Sequence, residues 1–567
     1  MLKVIGASWF QTRVGTCIVG AVSALGILAI ILGEMDKEYD DGVYSATVFW
    51  GENTGFHIDF WGQGNEMEEI PYGVGRAYYK QEIDATGWAV LEVETRSEYP
   101  DWVQAYSAGL LEGSLTWQLI YWHWQNTVEN VCQDRQEFCQ HVYSFIEENS
   151  ELVKGIAERR GDRDPFWHQV QLFYIQLDGL ETGWRYGVKR SRQDIEISEL
   201  DFLWMNMVSD LADMERQFST PINGTQPSLM FSAAASFASA FVKYHKESGE
   251  LYAVHNSGGL YQSMLRVLKR YQLGYHHTSD PNSKLVQGQV ITFSSYPGVI
   301  HSQDDFYLVM GEGEFGKKPH QLAVLGTAFS NHSRTSVLNA EPTEQVLIGP
   351  RVMAANRLAR DGRFWGRYLA RADSGTGSKQ WLVVNYGQIT ESTSADKGLL
   401  WVVEQTFGLT HSVDQTNALQ RTGIWVSTAH QDVLETGKLA LFDKYQSQSE
   451  GTHPHNITSI LQLMRNNSFL SNYHSVPQNK SSPSFSLQHP PMGTIDSKIF
   501  MTSPKKKLEL YVISGPPVIS VENNQNNTSK NIDVPFQWSK SQFANETHVG
   551  LPDLWHFNPM QPKWFWA

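Results

Sequence analysis

The sequence predicts an α+β fold with strands and helices mixed along the chain, and three observations carry that expectation. Strand-like segments run from Val43 to Phe60 and from Gly87 to Glu94. Helical runs follow, from Gln104 to Asn130 and from Asp194 to Arg216. Further on, Ala238 to Tyr244 and Leu251 to His255 are short runs of small, aromatic and β-branched residues joined by the polar turn His245–Glu250, a hairpin signature. The chain has 567 residues, 41% hydrophobic and 12% aromatic, enough to bury a large core, so it is globular rather than disordered.

From the N-terminus, the first element is a membrane-targeting signal. Val14 to Gly33 is a twenty-residue stretch without a charged residue, with Lys3 and Arg13 before it and Glu34, Asp36, Glu38, Asp40 and Asp41 after it. The asymmetry makes residues 1–13 a cytosolic tail and places the body of the protein in the lumen or outside the cell. The stretch, residues 14–33, is longer than a usual signal-peptide core and has no small-x-small site at its distal end. Cleaved signal peptide and retained type II signal anchor therefore both stand, and only the anchor brings membrane contact.

After the first strands, the helical run from Gln104 carries Trp117, Trp122, His123 and Trp124, which packing in a large aromatic core explains better than a lipid-binding face. Cys17 lies in the apolar stretch, leaving Cys132 and Cys139 seven apart near a helix end, where a closed loop is feasible and two free thiols are the alternative. Thr220–Ser228 is rich in turn formers, and Ala233–Ser236 has no side chain large enough to anchor a core. A flexible, accessible segment is thus expected over 217–237, running directly into the hairpin. Beyond it strands alternate with helices such as Leu260–Tyr271 and Met353–Leu358. Thr452–Asp496 is polar and rich in Asn, Ser, His and Pro, and is expected to be a long loop or insertion.

The formal net charge of -15 argues against a nucleic-acid partner, and the densest basic run, Lys505-Lys506-Lys507, fits a solvated turn. Sequons at Asn223, Asn331, Asn456, Asn466, Asn479, Asn526, Asn527 and Asn545 add to the lumenal argument, since glycans need surface sites. Gly311–Gly316 matches a dinucleotide fingerprint by letter, but Lys317-Lys318-Pro319 follows instead of a helix and two glutamates would repel a pyrophosphate. His276-His277 with Asp280 lacks a third and fourth ligand, so solvent exposure is expected there and no metal site. No cofactor is implied.

Several blocks together resemble the phospholipase B-like family of N-terminal-nucleophile hydrolases. In the first half these are Gly87–Leu91, Ala105–Gly113, Pro165–Val170 and Leu177–Leu180. In the second half they are Ser236–Lys243, Leu251–Asn256, Tyr261–Tyr271, Ser295–Gly298, Asp304–Tyr307, Arg351–Ala359, Ser374–Thr376, Gln380-Trp381, Ile513–Pro517 and Gly550–Pro552. The resemblance implies a four-layer αββα sandwich with helical additions. Its first part would span 42–216 and its second 238–562, with 217–237 matching the family's processing region and an insertion at 452–496. It also implies a disulfide between Cys132 and Cys139, hydrolysis of an acyl ester or amide of a lipid, and a lysosomal or secreted location. The ligand would be a lipid or another acylated small molecule; the oligomeric state is not implied.

In the family a self-cleaved precursor exposes a cysteine at the start of the second fragment, in a run like Cys-Ser-Ala-Leu-Ile-Lys. The matching run here is Ala238-Ser239-Ala240-Phe241-Val242-Lys243. The reaction needs a thiolate or hydroxyl at a new chain end, whose freed α-amine is the base, and a methyl group supplies neither. Ser239 would point to the opposite face of the strand, and Ser236 sits roughly 6.6 Å away along it. His255 and Asn256 match a family His-Asn/Asp-Thr-Trp run that continues here as Ser257-Gly258 and loses its aromatic. They are either residual pocket residues or a pair bonded to backbone. Lys379 falls in a run resembling Asn-Asn-Gln-Trp, and Arg465-Asn466-Asn467 near a family Arg-Tyr-Asn run lacks its tyrosine. Two functions follow: a phospholipase B-like hydrolase with impaired or lost catalysis, or a non-catalytic lumenal or extracellular binding or scaffold protein.

Overall fold

The computed structural model describes residues 43–567 apart from 62–68, 219–228, 281, 313–318, 329–344, 390–396, 407–408, 429–456, 466–491, 503–506, 524–529 and 542. The targeting stretch Val14–Gly33 and all the sequons except Asn545 lie outside the described residues, as do Gly316, Lys505 and Lys506. Asn545 is exposed in a turn.

In chain order the first strands are β1 (Val43–Gly51), β2 (Gly55–Trp61), β3 (Gly75–Glu82) and β4 (Trp88–Thr95). The hairpin is β5 (Ser239–His245) and β6 (Glu250–Leu260), as the sequence predicts. Then come β7 (Arg266–Gln272), β8 (Val290–Ser295), β9 (Phe306–Gly311), β10 (His320–Ala328), β11 (Lys379–Asn385), β12 (Leu400–Thr406) and β13 (Leu409–Asp414). Strands β14 (Ile424–Thr428), β15 (Met492–Thr502) and β16 (Leu508–Ser514) complete the two main sheets. The larger has eleven strands in the order β13-β12-β11-β10-β9-β8-β7-β4-β3-β1-β2, and the smaller five, β14-β5-β6-β15-β16. The fold is therefore α+β.

Alternation along β5 explains how the sheets meet. Ala240, Val242 and Tyr244 join Phe306, Leu325 and Leu382 of the large sheet in one apolar cluster. Phe241, on the other face, joins Val254, Ile460 and Leu461, so it meets the helix Ile457–Met464. That helix and the start of β15 fall in the stretch expected to be a loop. Apolar residues Ile460, Leu461 and Met464 share one buried helix face, a short signal that the surrounding polar residues hide.

The other face of the large sheet is covered by helices Asp101–Leu115 and Pro165–Arg190, among others. Their approach is set by glycine. A Cβ on Gly109 would lie 1.9 Å from Gln176 O, and one on Gly183 would lie 2.3 Å from Leu110 O, so the two backbones touch where no side chain fits. The helix expected over Gln104–Asn130 starts at Asp101 and breaks at Thr116, whose hydroxyl bonds back to Glu112 O. Trp117, Trp122 and Trp124 pack against the core. Cys132 and Cys139 form a disulfide.

Three expectations need correction. Asp194–Arg216 is two helices, Glu199–Met205 and Val208–Phe218, the first capped by Ser198. Leu260–Tyr271 is not a helix but the end of β6, a turn at Tyr261–Ser263 and strand β7. Strand β7 pairs in parallel with β4 and lies inside the sheet, where both faces are covered. Each of its cations is neutralised internally: Arg266 by Asp304 and Asp496, Lys269 by Glu112, and Arg270 by Glu92. Finally, His276 is not a solvated residue, because its ring and amide both bond Asp101, which His168 bonds from the opposite helix.

Candidate functional site

The site is built where β5 begins. Immediately before it, residues 230–235 form a short helix whose first amides, those of Met230, Phe231 and Ser232, donate to the buried Glu215 carboxylate. Arg135 closes the same carboxylate at 2.7 Å. This part of the segment expected to be flexible and accessible is therefore held, because Glu215 acts as a cap supplied from another helix and Phe231 is buried beneath it. Ser236 Oγ bonds back to Ala233 O at 2.6 Å. The chain then passes through Phe237 and Ala238 into the strand.

Ala238 lines a cavity of about 130 Å³ whose walls also include Phe231, Gly258, Tyr296, Asp305 and Lys379. Ser239 does not line it, and is buried opposite Asn256 in the hairpin register. Period-two alternation thus separates the two neighbours as the sequence predicts. A Cβ on Gly258 would lie 2.5 Å from Ala234 O, 2.6 Å from Ala238 N and 2.8 Å from Phe237 C. The continuous main chain occupies the space that a side chain at 258 would need.

One wall is charged but internally balanced. Lys379 Nζ is 2.6 Å and 2.7 Å from the two Asp305 oxygens. Asp305 takes a left-handed backbone (φ 64), a conformation uncommon outside glycine that aspartate tolerates. Burial pushes its carboxyl up to about 6 against the pull of Lys379. Behind it, Arg266 bridges Asp304 and Asp496, and Lys498 donates to Asp496 and to Ser257 Oγ at 2.6 Å and 2.5 Å. Tyr296 donates to Asp304 at 2.7 Å. Two main-chain amides beside the cavity, those of Gly377 and Ser378, are committed to Asp213.

The other sequence candidates lie away from the cavity. His255 Nε2 contacts Gly326 O at 2.9 Å, and burial, helped by Lys498, lowers its ring to about 3, so it is neutral. Asn256 points the other way and donates to Met464 O at 2.8 Å. Both are bonded to backbone and neither lines the cavity. Arg465 donates to Gly515 O and Pro516 O.

Sequence reading missed His123 and Ser378 as site residues. Both line the cavity, and His123 Nδ1 and Ser378 Oγ are buried without a hydrogen-bond partner among the described residues. Their signals were weak: Ser378 opens the Ser378-Lys379-Gln380-Trp381 run that resembles Asn-Asn-Gln-Trp, and His123 lies in the aromatic run weighed against a lipid-binding face. Other cavity hydroxyls are tied to carbonyls, Ser263 to Leu260 O, Thr127 to His123 O and Ser232 to Ala212 O. The cavity therefore presents apolar walls, paired ions and few free polar atoms, and position 238, just before β5, offers it neither hydroxyl nor thiol.

A model of the phospholipase B family matches residues 75–562. A Drosophila melanogaster protein named phospholipase B-like lamina ancestor is 32% identical, with 100% of each chain covered. The phospholipase B-like 2 protein of Rattus norvegicus is 32% identical over 87% of each chain. Phospholipase B-like protein B of Dictyostelium discoideum is 28% identical, covering 91% of this chain and 88% of its own.

Proposed function

The chain belongs to the phospholipase B family, and from that premise we propose that it keeps the family's cavity while lacking self-cleavage and acyl hydrolysis. The observation that carries this reading is Ala238, a methyl group on the cavity wall immediately before β5. Neither attack on a carbonyl nor release of a new α-amine can start from it. Gly258 supports the same reading, since the main chain of Ala234, Phe237 and Ala238 fills the space that the family's aromatic would need there. On this reading the two packed sheets with helices outside them are the αββα sandwich of N-terminal-nucleophile hydrolases.

The protein then acts by binding. Apolar walls with two unpartnered polar atoms, His123 Nδ1 and Ser378 Oγ, suit an amphiphile such as a lipid or another acylated small molecule. A secretory location, lysosomal or extracellular, fits the Cys132–Cys139 disulfide and the exposed sequon at Asn545.

The test is a denaturing gel with N-terminal sequencing of the purified lumenal protein, together with an acyl-hydrolase assay. A chain uncut at the head of β5 and no hydrolysis are expected. A fragment beginning at Ser239, with hydrolysis lost in Ser239→Ala, would overturn the reading. Ala238→Cys is expected to restore self-cleavage only poorly, because Lys379 and Gly258 also differ from the family's pattern; efficient processing would mean that the remaining machinery is intact.

A further inference from the structure

An aromatic strip with a basic border lies on the surface at the β2 edge of the large sheet. Four elements build it, β1, β2 and the helices Asp101–Leu115 and Pro165–Arg190. From β1 and β2, Trp50 and Phe56 meet Trp102 edge-on at 5.7 Å and 6.2 Å, and Phe56 lies 4.6 Å from Tyr106. Four residues along β2, roughly 13 Å away on the same face, Phe60 stacks on Tyr186 at 6.0 Å with an interplanar angle of 3°. Arg190 lies over the other ring partner, with Cζ 3.8 Å from the Phe60 centroid. Trp102 and Tyr186 remain 47% and 44% exposed, so the strip has its two large amphipathic rings in solvent.

The border is the C-terminal end of the helix Pro165–Arg190. From Arg185 to Arg192 the chain carries Arg185, Lys189, Arg190 and Arg192 and no acidic residue, in a protein of net charge -15. Arg185 is answered by Glu181 at 2.6 Å. Lys189, Arg190 and Arg192 are exposed and have no ion pair among the described residues. Nearby acids are otherwise engaged or lie outside the run: Asp178 pairs with Lys154 and Asp59 with His57, while Glu52, Asp194 and Glu196 are exposed beyond the cations.

We propose that this strip, with Trp102 and Tyr186 as anchors and Lys189, Arg190 and Arg192 as the electrostatic border, docks the protein onto a bilayer containing anionic phospholipid. Tryptophan and tyrosine settle at the level of the headgroups, where an apolar body and a polar tip are both satisfied. Unpaired lysine and arginine beside them draw the surface to anionic headgroups, with the long side chains reaching the interface. Charge complementarity selects this occupant, because a chain of net charge -15 is on the whole repelled by an anionic membrane, whereas this face sets exposed cations beside exposed aromatic rings. The proposal does not depend on what the cavity binds.

Co-sedimentation of the full chain with vesicles of phosphatidylcholine alone, and of phosphatidylcholine with one fifth phosphatidylserine, tests it. Wild type is expected to bind the anionic vesicles roughly tenfold more tightly, with the preference lost at high salt. The double variant Lys189→Glu/Arg190→Glu should abolish that preference, and Trp102→Ser/Tyr186→Ser should weaken binding to both vesicles. All four positions are exposed, and unchanged thermal unfolding would show that the variants fold. If binding is equal on both vesicles, or is untouched by both double variants because the N-terminal apolar segment alone drives it, the proposal is wrong. Failure to bind either vesicle would equally overturn it.

Discussion

At Gly258 the main chain of Ala234, Phe237 and Ala238 stands within 2.8 Å of where a Cβ would be, whereas at the next residue, Gly259, the nearest atom is the terminal methyl of Ile495. Backbone cannot yield as a side-chain tip can. Gly258→Ala is therefore expected to cost about 1–3 kcal/mol in urea unfolding, and Gly259→Ala clearly less. Equal costs would mean that the segment before β5 moves aside freely and that its fit against Gly258 is incidental. The same contact bears on the aromatic that family resemblance leads one to expect at this position, for which the main chain of Ala234, Phe237 and Ala238 leaves no room. On the proposed reading, Ala238 and Gly258 are two substitutions with one consequence, a main chain that stays seated on the cavity wall. Ala238 was legible from its run of neighbours, whereas the role of Gly258 needed coordinates, since the atoms it accommodates lie about twenty residues earlier in the chain.

At the scale of elements, the helix Met230–Ala235 is too short to persist by itself, and its sequence offers no capping side chain. Glu215 supplies the missing acceptor, and its carboxylate is held by Arg135 and three amides. Glu215→Ala should cost about 3 kcal/mol and expose the stretch before β5 to added protease. Cleavage there as slow as in wild type would show that burial of Phe231 alone holds the helix. This explains why Ala233–Ser236 reads as loose: the local residues cannot order themselves, and the group that orders them comes from another helix. Strand β7 fails for a related reason, because a lysine or arginine pattern signals solvent unless the partners Glu92, Glu112, Asp304 and Asp496 are known. The hairpin β5–β6 was legible because its strands, turn and alternation are all local.

Across the whole molecule, the two sheets are joined by charge as well as by apolar packing. Arg266 of the large sheet reaches Asp496 of the small one, and Lys498 shares that carboxylate. Burial alone would raise the Asp496 carboxyl, but Lys498 and Arg266 outweigh it and hold it below the usual range. Because the folded value lies below the unfolded one, about 3.8, the stability it contributes is present above that pH and lost as pH falls through the folded value. Asp496→Asn should therefore lose about 3–5 kcal/mol at pH 7 and show a shallower further loss between pH 4 and 2 in denaturant titrations. An unchanged acid limb would mean that the bridge does not couple the sheets. The sequence by itself determined the α+β class, the hairpin and the family, and it set an alanine at 238 where the resemblance leads one to expect a nucleophile, because these rest on local periodicity and on ordered motifs. Only the tertiary structure decided which buried charges are paired, that the segment before β5 is anchored, that His255 and Asn256 turn away from the cavity, and that aromatic and basic residues from four elements share one surface. Each of these depends on contacts between residues far apart in the chain, and burial reverses what a charged or small residue signals when it is read alone.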